Sequence, residues 1–583
     1  MPYRWTFYPD ASRDVVRRLM DGLKISPVLA RVLGNRGVAS IAEGQRFLSP
    51  ALADLHDPFA LPGMDRAVAR IDRAIEARER IGVYGDYDVD GVTGAALLSR
   101  FFCDVGADAI FRVPNRMREG YGLTDAGIDE FARAGVRLLV AVDCGTNSVR
   151  EIAYARGLGI ETIVADHHTP SESLPDAVAI VNPQVPGSTY PFKFLAGVAI
   201  AFKLALAVSR ARGLSDERAL EDLDLVAVGS IADVAPLVGE NRTLVKRGLR
   251  VLTESRKVGF RELIRVAGFE GKEIGVWEVA FGLAPRLNAA GRIGDARAAV
   301  ELLTTNSVET ARLRAEGLER ENSRRRELDA DILSEALAMV SDPEVLADRK
   351  AIVLASDTWH PGVIGIAASR MKERYARPTV LIALDGELGR GSARSVPGFS
   401  LYEALARCAD TLVSFGGHEQ AAGFTIERRM IEPFRDRFLA HAAERLAGKD
   451  LSPTLRIDGA VPVTHLGIEL YEEVKLLRPF GPENPEPIFI AKGLEPAGRP
   501  QIVGRGRTHL KFAVRDGERR IEAIAFDKAD LHATVADGEP IDVAFTLGEN
   551  NYLGDRQLQL RVKDIHAAGA GDPAGAAPSL ESF

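Results

Sequence analysis

Between residues 60 and 240 short apolar runs alternate with stretches of helical apolar spacing, a pattern that predicts a parallel sheet covered by helices. Strands are expected at 80–85 (RIGVYG), 136–142 (VRLLVAV), 160–165 (IETIVA) and 178–182, the last including Asn182, with a helix over 92–106. The first three runs each end on polar residues: DYDVDG after the first, Asp143 after the second, Asp166-His167-His168 after the third. Folds of this kind place ligands at the carboxyl ends of parallel strands. A second α/β unit is expected near 346–450, with strands at 350–356 and 379–384, a helix over 362–375 and the segment GELGRGSARS at 386–395. Between the two units, residues 306–340 contain no proline and one glycine among good helix formers. As a single helix they would span roughly 50 Å. Beyond 451 the pattern changes to short strands and turns (QIVGRG, HLKFAV, RIEAIAF, IDVAFTL, QLQLRV), which predicts a small closed barrel of the OB type. The last stretch, 567–583, reads as a disordered low-complexity tail.

Composition narrows the class. The 583 residues are 46% apolar and 27% charged, enough for several soluble domains with their own cores. The formal net charge of −8 excludes a protein coated in basic residues but leaves room for a local basic groove. Three cysteines without CxxC spacing argue against a disulfide scaffold or zinc finger and fit a reducing, cytoplasmic setting. No apolar run reaches the length of a membrane span, and the first twenty residues lack the apolar core of a signal peptide.

The polar strand ends carry the chemistry. On an extended strand end, Asp86, Asp88 and Asp90 would project the same way, and like charges so placed repel unless a cation lies between them. Asp143 and the pair His167 and His168 deliver further donors to the same sheet edge, and Asp233, after an apolar helix, is a candidate addition. Mixed carboxylate and imidazole donors without thiolates suit Mn²⁺ or Mg²⁺, and five or more of them exceed the needs of one ion. A two-metal site of that kind activates water and clamps both oxygens of an in-line phosphoryl displacement.

In order, DYDVDG, VDCG, ADHH and SIADVAPL resemble the four motifs of the DHH phosphoesterase superfamily. NRGVASIAEGQRFLSP (35–50), PNRMREGYGL (114–123) and PRLNAAGRIG (285–294) add to the likeness, and WHPGVIGIAASR (359–370), GSARS (391–395) and GGHEQAAGF (416–424) resemble the DHH-associated domain. With the barrel, the ordering is similar to the RecJ family of single-strand-specific exonucleases. The resemblance implies an N-terminal segment (1–59) packing on the catalytic domain, a DHH catalytic domain (60–245), and a helical region with the long connecting helix (246–345). A DHH-associated substrate-binding domain (346–450) and an OB-fold nucleic-acid-binding domain (451–566) follow.

Carried over residue by residue, it implies metal ligands at Asp88, Asp90, Asp143, His167 and Asp233, with Asp143 bridging two Mn²⁺ or Mg²⁺ ions. His168 would lie beside the scissile phosphate, and Asp86 is either a ligand or an acid behind the ligands. Arg116, Ser392 and Arg394 would hold a 5′-terminal phosphate, Arg286 the phosphate under attack, and Tyr121 would pack near the terminal nucleotide. Arg116 and Arg118 share the 114–123 loop, and His418 follows two glycines that allow close approach of a phosphate. In the barrel, Arg505, Arg507, Lys511, Arg515, Arg519 and Arg520 with the interleaved Phe512 fit single-strand binding by backbone tracking and base stacking. The run Arg324–Arg326 on the long helix reads as a solvated face.

The implied activity is a metal-dependent 5′→3′ exonuclease on single-stranded DNA in repair and recombination. It would act as a monomer without membrane association, with a helicase or single-strand-binding protein as candidate partner. The alternatives are a phosphodiesterase for short oligonucleotides or cyclic dinucleotides, against which the extra barrel argues, and a non-catalytic scaffold, against which the complete donor set argues.

Overall fold

The computed structural model describes residues 3–9, 11–116, 119–340, 349–550 and 556–569. The first strand, β1 (Arg4–Phe7), leads into three helices, Arg13–Leu23, Pro27–Asn35 and Ile41–Leu48. Next comes a five-stranded sheet in which every pairing is parallel: β2 (Arg80–Gly85), β3 (Ala109–Arg112), β4 (Val136–Val142), β5 (Glu161–Ala165) and β6 (Ala179–Val181). Its order, β3-β2-β4-β5-β6, sets β2, β4 and β5 side by side, with the reversal of strand order beside β2. β4 is buried along its length except at Arg137, as its run of Val and Leu requires of a strand covered on both faces.

Helices 197–211 and 223–232 are apolar almost all round and are buried in this body. The same core continues through Leu252, Phe260, Leu263 and Leu287 to Leu318. The helices after 246 are therefore the outer layer of the catalytic body, and the expected boundary at 245/246 falls inside the Gly239–Thr253 helix. Helix Val308–Met339, 32 residues and about 48 Å long, leaves that core and ends against the second unit through Ile332 and Ala336.

The second unit is a mixed sheet of order β10-β11-β9-β8-β7, made of β7 (Ile352–Ser356), β8 (Thr379–Asp385), β9 (Leu388–Arg394), β10 (Leu412–Gly417) and β11 (Ala421–Glu427). Helix Ile364–Tyr375 packs across β8 and β9. The barrel follows β12 (Thr454–Ile457) and runs from β13 (Gly459–Ala460) and β14 (Phe489–Pro496) through β15 (Gln501–Val503), β16 (His509–Asp516) and β17 (Arg519–Ala525) to β18 (Ile541–Asn550) and β19 (Gln557–Ala567). Pairing of β14 with both β18 and β16 closes it. Apart from its first three residues, the expected tail lies outside the described residues. No helix among the described residues is long and apolar enough to cross a membrane.

One expectation about packing is corrected. The N-terminal helices do not rest mainly on the catalytic body: Val16, Leu19, Leu29 and Leu33 join Leu470, Phe489 and Phe545 in the barrel core. β1 pairs in parallel with β12, and Arg36 forms a buried ion pair with Asp458 at 2.8 Å. Among the described residues of the N-terminal segment, Leu52, Leu55 and Phe59 are the apolar side chains packed on the catalytic core. The joint between the bodies is Arg242, which donates to the carbonyls of Phe47, Leu477 and Pro479 at 2.7–3.3 Å. A guanidinium serves here because its fixed fork satisfies several backbone acceptors at once.

Candidate metal centre and phosphate pocket

The donors converge where β2, β4 and β5 end. Asp86 to Asp90 do not continue as a strand, contrary to the alternating-strand expectation. Asp88 is the N-cap of helix Val89–Asp104, its Oδ1 accepting from the backbone N–H of Asp90 (2.9 Å) and Gly91 (3.2 Å). Asp is among the best N-caps, so the helix begins earlier than the alternation implies. Asp90, in the first turn and 1% exposed, accepts from Gly197 N (2.6 Å) and Val198 N (2.8 Å), the first amides of helix Gly197–Ala211. Such a helix start favours a carboxylate. Asp143 follows β4 at φ 58°, a left-handed conformation uncommon outside glycine.

His167 Nε2 lies 3.1 Å from Asp143 Oδ1 and 3.9 Å from Asp90 Oδ2, and its Nδ1 lies 3.9 Å from Asp233 Oδ2. Three sets of donors each lie within 4.8 Å of one another: Asp143 with Asp166, His167 and His168; Asp90 with His167 and Asp233; and Asp86 with Asp88 and Asp143. Asp166 is a site residue to which the sequence reading gives no role. It accepts from the amides of Thr146, His167 and His168 and lies 2.7 Å from His168 Nδ1, so it fixes the orientation of that ring.

The electrostatics ask for cations. Burial and the surrounding acids hold Asp90 and Asp143 well above the ordinary carboxylate range and push Asp86 up to about 8 and Asp233 to about 7. Despite its own burial, Asp166 stays below that range through His168 and Thr146. His167 is lowered to about 4 by burial and the adjacent His168. His168 is raised to about 9: burial lowers it, and the Asp166 hydrogen bond together with the charges of Asp166, Asp233 and Asp90 more than offsets this. Buried oxygen donors at this density with two imidazoles and no thiolate ligand suit Mn²⁺ or Mg²⁺.

A second site adjoins the first. The Arg116 guanidinium lies 5.1 Å from the Tyr87 ring centroid, Tyr87 packs edge-on against Tyr121 at 6.4 Å, and the Tyr121 hydroxyl lies 3.0 Å from His168 Nε2. On the facing unit, Arg394 donates to Ser392 Oγ at 3.2 Å and to Ser369 Oγ at 3.1 Å. Burial lowers Arg394, and Arg116 adds to the effect. Arg116 and Arg394, from the two units, are thus near enough for their charges to interact.

Two arginines depart from expectation. Arg286 is turned away: it pairs with Glu319 of the long helix and donates to the Gly282 carbonyl at 2.7 Å. Arg292 lies six residues further along the same helix, about 600° of turn, and so on another side. It is the residue that feels Arg116, Arg325 and Arg394, and burial together with these cations lowers it to about 10. Arg325, expected on a solvated face, lines the cleft with Asn288 and Arg292, because three consecutive helical residues cannot all face solvent alike. Arg292 is within reach of sequence reasoning, since it lies in the PRLNAAGRIG segment already singled out. Arg118 lies outside the described residues. His418 is exposed at the turn between β10 and β11, its amide donating to the Ala421 carbonyl at 2.8 Å.

The barrel carries one further correction. Phe512 is buried in the barrel core beside Leu510 and Val514, because residues of one parity on a strand share a face. It is therefore not a stacking platform. Lys511 projects to the other side, near Glu522 at 4.0 Å, while Arg505 and Arg507 are exposed in the turn between β15 and β16. Arg515 is paired with Glu495, Arg520 with Glu522, and Arg519 donates to the Thr464 carbonyl. The exposed aromatic on this side is Phe526, edge-on to His509 at 5.3 Å.

Comparison with known proteins agrees with this layout. Family models match in sequence order: the DHH family N-terminal domain over residues 80–230, the DHHA1 domain over 348–448 and the RecJ OB domain over 457–564. These define a DHH-type phosphoesterase body with its associated domain and an OB barrel. The single-stranded-DNA-specific exonuclease RecJ of Bacillus subtilis is 38% identical over 567 residues, covering 96% of this chain and 70% of that protein. RecJ from Thermus thermophilus, solved in complex with Mn²⁺, matches with a TM-score of 0.84 at 34% identity over 97% of this chain and 80% of that one. Its Mg²⁺ complex gives 0.79 at 33% identity, over 97% and 79%. The chain belongs to the RecJ family.

Proposed function

We propose that the chain is a metal-dependent 5′→3′ exonuclease that hydrolyses phosphodiester bonds of single-stranded DNA and releases 5′-mononucleotides in DNA repair and recombination. The observation that supports this reading is the contact chain from Arg116 through Tyr87 and Tyr121 to His168, which links an arginine able to bind phosphate to the carboxylate and imidazole cluster. Asp88, Asp90, Asp143, His167 and Asp233 are the residues that would hold two divalent cations, with Asp86 beside them. Two such cations supply the Lewis acidity that activates water and stabilises charge on the phosphoryl oxygens.

The protein's own groups do the rest. Arg116, Arg394 and Ser392 bind the terminal phosphate, whose monoester carries nearly two charges where an internal diester carries one. Arg292, rather than Arg286, is placed to hold a phosphate between that pocket and the cluster. His168, oriented by Asp166, stands at the reacting phosphate. Tyr121 packs over the same spot and limits how the strand passes. Arg505, Arg507 and Lys511 track the backbone of a longer strand on the barrel, a remote module that a dinucleotide substrate would not need.

Within this reading the enzyme is a cytoplasmic monomer, which its three free cysteines fit, and a helicase or single-strand-binding protein is the expected partner. The test is digestion of 5′- and 3′-labelled single strands with Mn²⁺ or Mg²⁺. Shortening from the 5′ end with mononucleotide products supports the reading. Shortening from the 3′ end, or equal turnover of cyclic dinucleotides and long strands, overturns it.

A further inference from the structure

We infer that the exposed aromatic pair Trp277 and Phe281 is a base-stacking station for the incoming single strand, several nucleotides away from the arginine pocket. Trp277 is 61% exposed and Phe281 70% exposed, whereas the other two tryptophans, Trp5 and Trp359, are buried at 5% and 4%. The two rings form one unit, with centroids 5.9 Å apart and planes 35° from parallel. Phe269 supports them edge-on against Trp277 at 6.2 Å. Gly282 makes that support possible: a Cβ there would lie 2.1 Å from the Phe269 ring.

The pair continues the cleft. Phe281 follows Ala280, and the chain runs on from the π-helical turn Val279–Leu283 into the helix that carries Ala284, Pro285, Asn288 and Arg292, one continuous helical stripe of chain. Ala280, Ala284, Pro285, Asn288 and Arg292 line the cavity that also holds Arg325. From Arg292 back to Trp277 the stripe runs at most about 22 Å, the length at the α-helical rise of 1.5 Å per residue. At duplex spacing that is at most about six nucleotides of one strand.

An occupant is indicated by what surrounds the rings. Glu270 and Glu273 are exposed nearby, and Lys272 lies over the Phe269 ring at 5.6 Å. The surface is thus not a phosphate track, and it offers flat apolar faces of the kind unpaired bases stack on, in line with a cleft whose arginines bind phosphate. A duplex keeps its bases stacked on each other and gains nothing from such a surface. The stripe accordingly selects unpaired strands before they reach the cluster.

The inference rests on the exonuclease reading, and the experiment separates their failures. Full-length protein in EDTA, where no turnover occurs, is titrated with 5′-phosphorylated dT2 and dT8 while tryptophan emission is followed. The expected result is quenching by dT8 but not by dT2, abolished in Trp277→Ala, whose remaining tryptophans are buried. Trp277→Ala/Phe281→Ala should bind dT8 about 10- to 100-fold more weakly, and with metal restored its rise in KM should be at least about tenfold larger on dT8 than on dT2. Trp277→Tyr should restore most of the binding. Equal penalties on both lengths, absence of quenching, or a wild-type self-association in sedimentation that the double variant loses would each overturn the station. If the wild-type chain digests no single strand at all, the exonuclease reading itself fails.

Discussion

The Nδ1 of His168 lies 2.7 Å from the buried carboxylate of Asp166, which also accepts the backbone amide of Thr146 at 2.9 Å. A carboxylate itself held by backbone amides fixes the orientation of the ring, whose Nε2 lies 3.0 Å from the Tyr121 hydroxyl. Asp166→Asn keeps the volume and loses the charge. Activity or metal affinity should fall about 10- to 100-fold, the usual effect of an outer partner of a site imidazole. Steady-state rates across a Mn²⁺ titration check this, and unchanged rates and affinity would remove Asp166 from the site.

Asp143 combines a central place among the donors with a left-handed backbone. Asparagine tolerates that backbone better than alanine does, so Asp143→Asn isolates the charge. Turnover should drop by at least about 10³-fold, the scale on which preorganised electrostatic stabilisation acts. In EDTA the variant should melt no lower than wild type, because one of several mutually repelling buried acids is gone. A variant that keeps a tenth of the wild-type rate would contradict the assignment.

Gly365, on the helix that covers β9, is where Arg394 and Ser392 need room. A Cβ there would lie 2.8 Å from an Arg394 guanidinium nitrogen and 3.0 Å from Ser392 Oγ. Alanine is the better helix former, so Gly365→Ala should fold well yet displace the pocket. The KM for 5′-phosphorylated strands should rise about tenfold or more, as expected when a charged hydrogen bond worth roughly 1.5–3 kcal/mol is disturbed. Arg394→Ala should do the same. Both should narrow the preference for 5′-phosphate over 5′-hydroxyl ends, and an unaltered preference would place the terminal phosphate elsewhere.

Lys246 gives a pH dependence far from the metals. Its ammonium donates to the Leu48 carbonyl at 2.8 Å, and burial, with Arg242 and Arg247 nearby, lowers it from 10.5 to about 8. Between those values the folded chain has released a proton that the unfolded chain still holds. This group's contribution to stability therefore rises with pH from about 8 to 10.5. Melting temperatures of wild type and Lys246→Met should diverge across that window in favour of wild type, and parallel curves would exclude the effect.

The strand ends are legible because apolar runs broken by Asp and His have few other readings in a parallel sheet. Asp88 reads as a strand residue although it caps a helix, since alternation looks alike whether the chain extends or turns into a helix. The parity of Leu510, Phe512 and Val514 already points inward, and the basic neighbours of Phe512 obscure it. Arg286 and Arg292 lie in one short motif, and only the rotation of the helix decides which of them faces the cleft. Nothing local marks the first helices as part of the barrel core, because their partners Leu470, Phe489 and Phe545 lie more than four hundred residues away.

The pairing of β1 with β12 has a consequence for biosynthesis. Trp5 donates its indole N–H to Asp564 at 3.0 Å and stacks on His566 at 4.2 Å, so β1 is completed by residues 559 or more positions later in the chain. At about 5–20 residues per second, roughly 20 to 90 s pass between the emergence of β1 and that of β12. Through that interval the apolar faces of the first three helices have no barrel to cover them. A nascent chain of this protein thus carries an unpaired strand edge and open helices while its catalytic body is already folding, and the barrel covers them only once β12 to β19 have emerged.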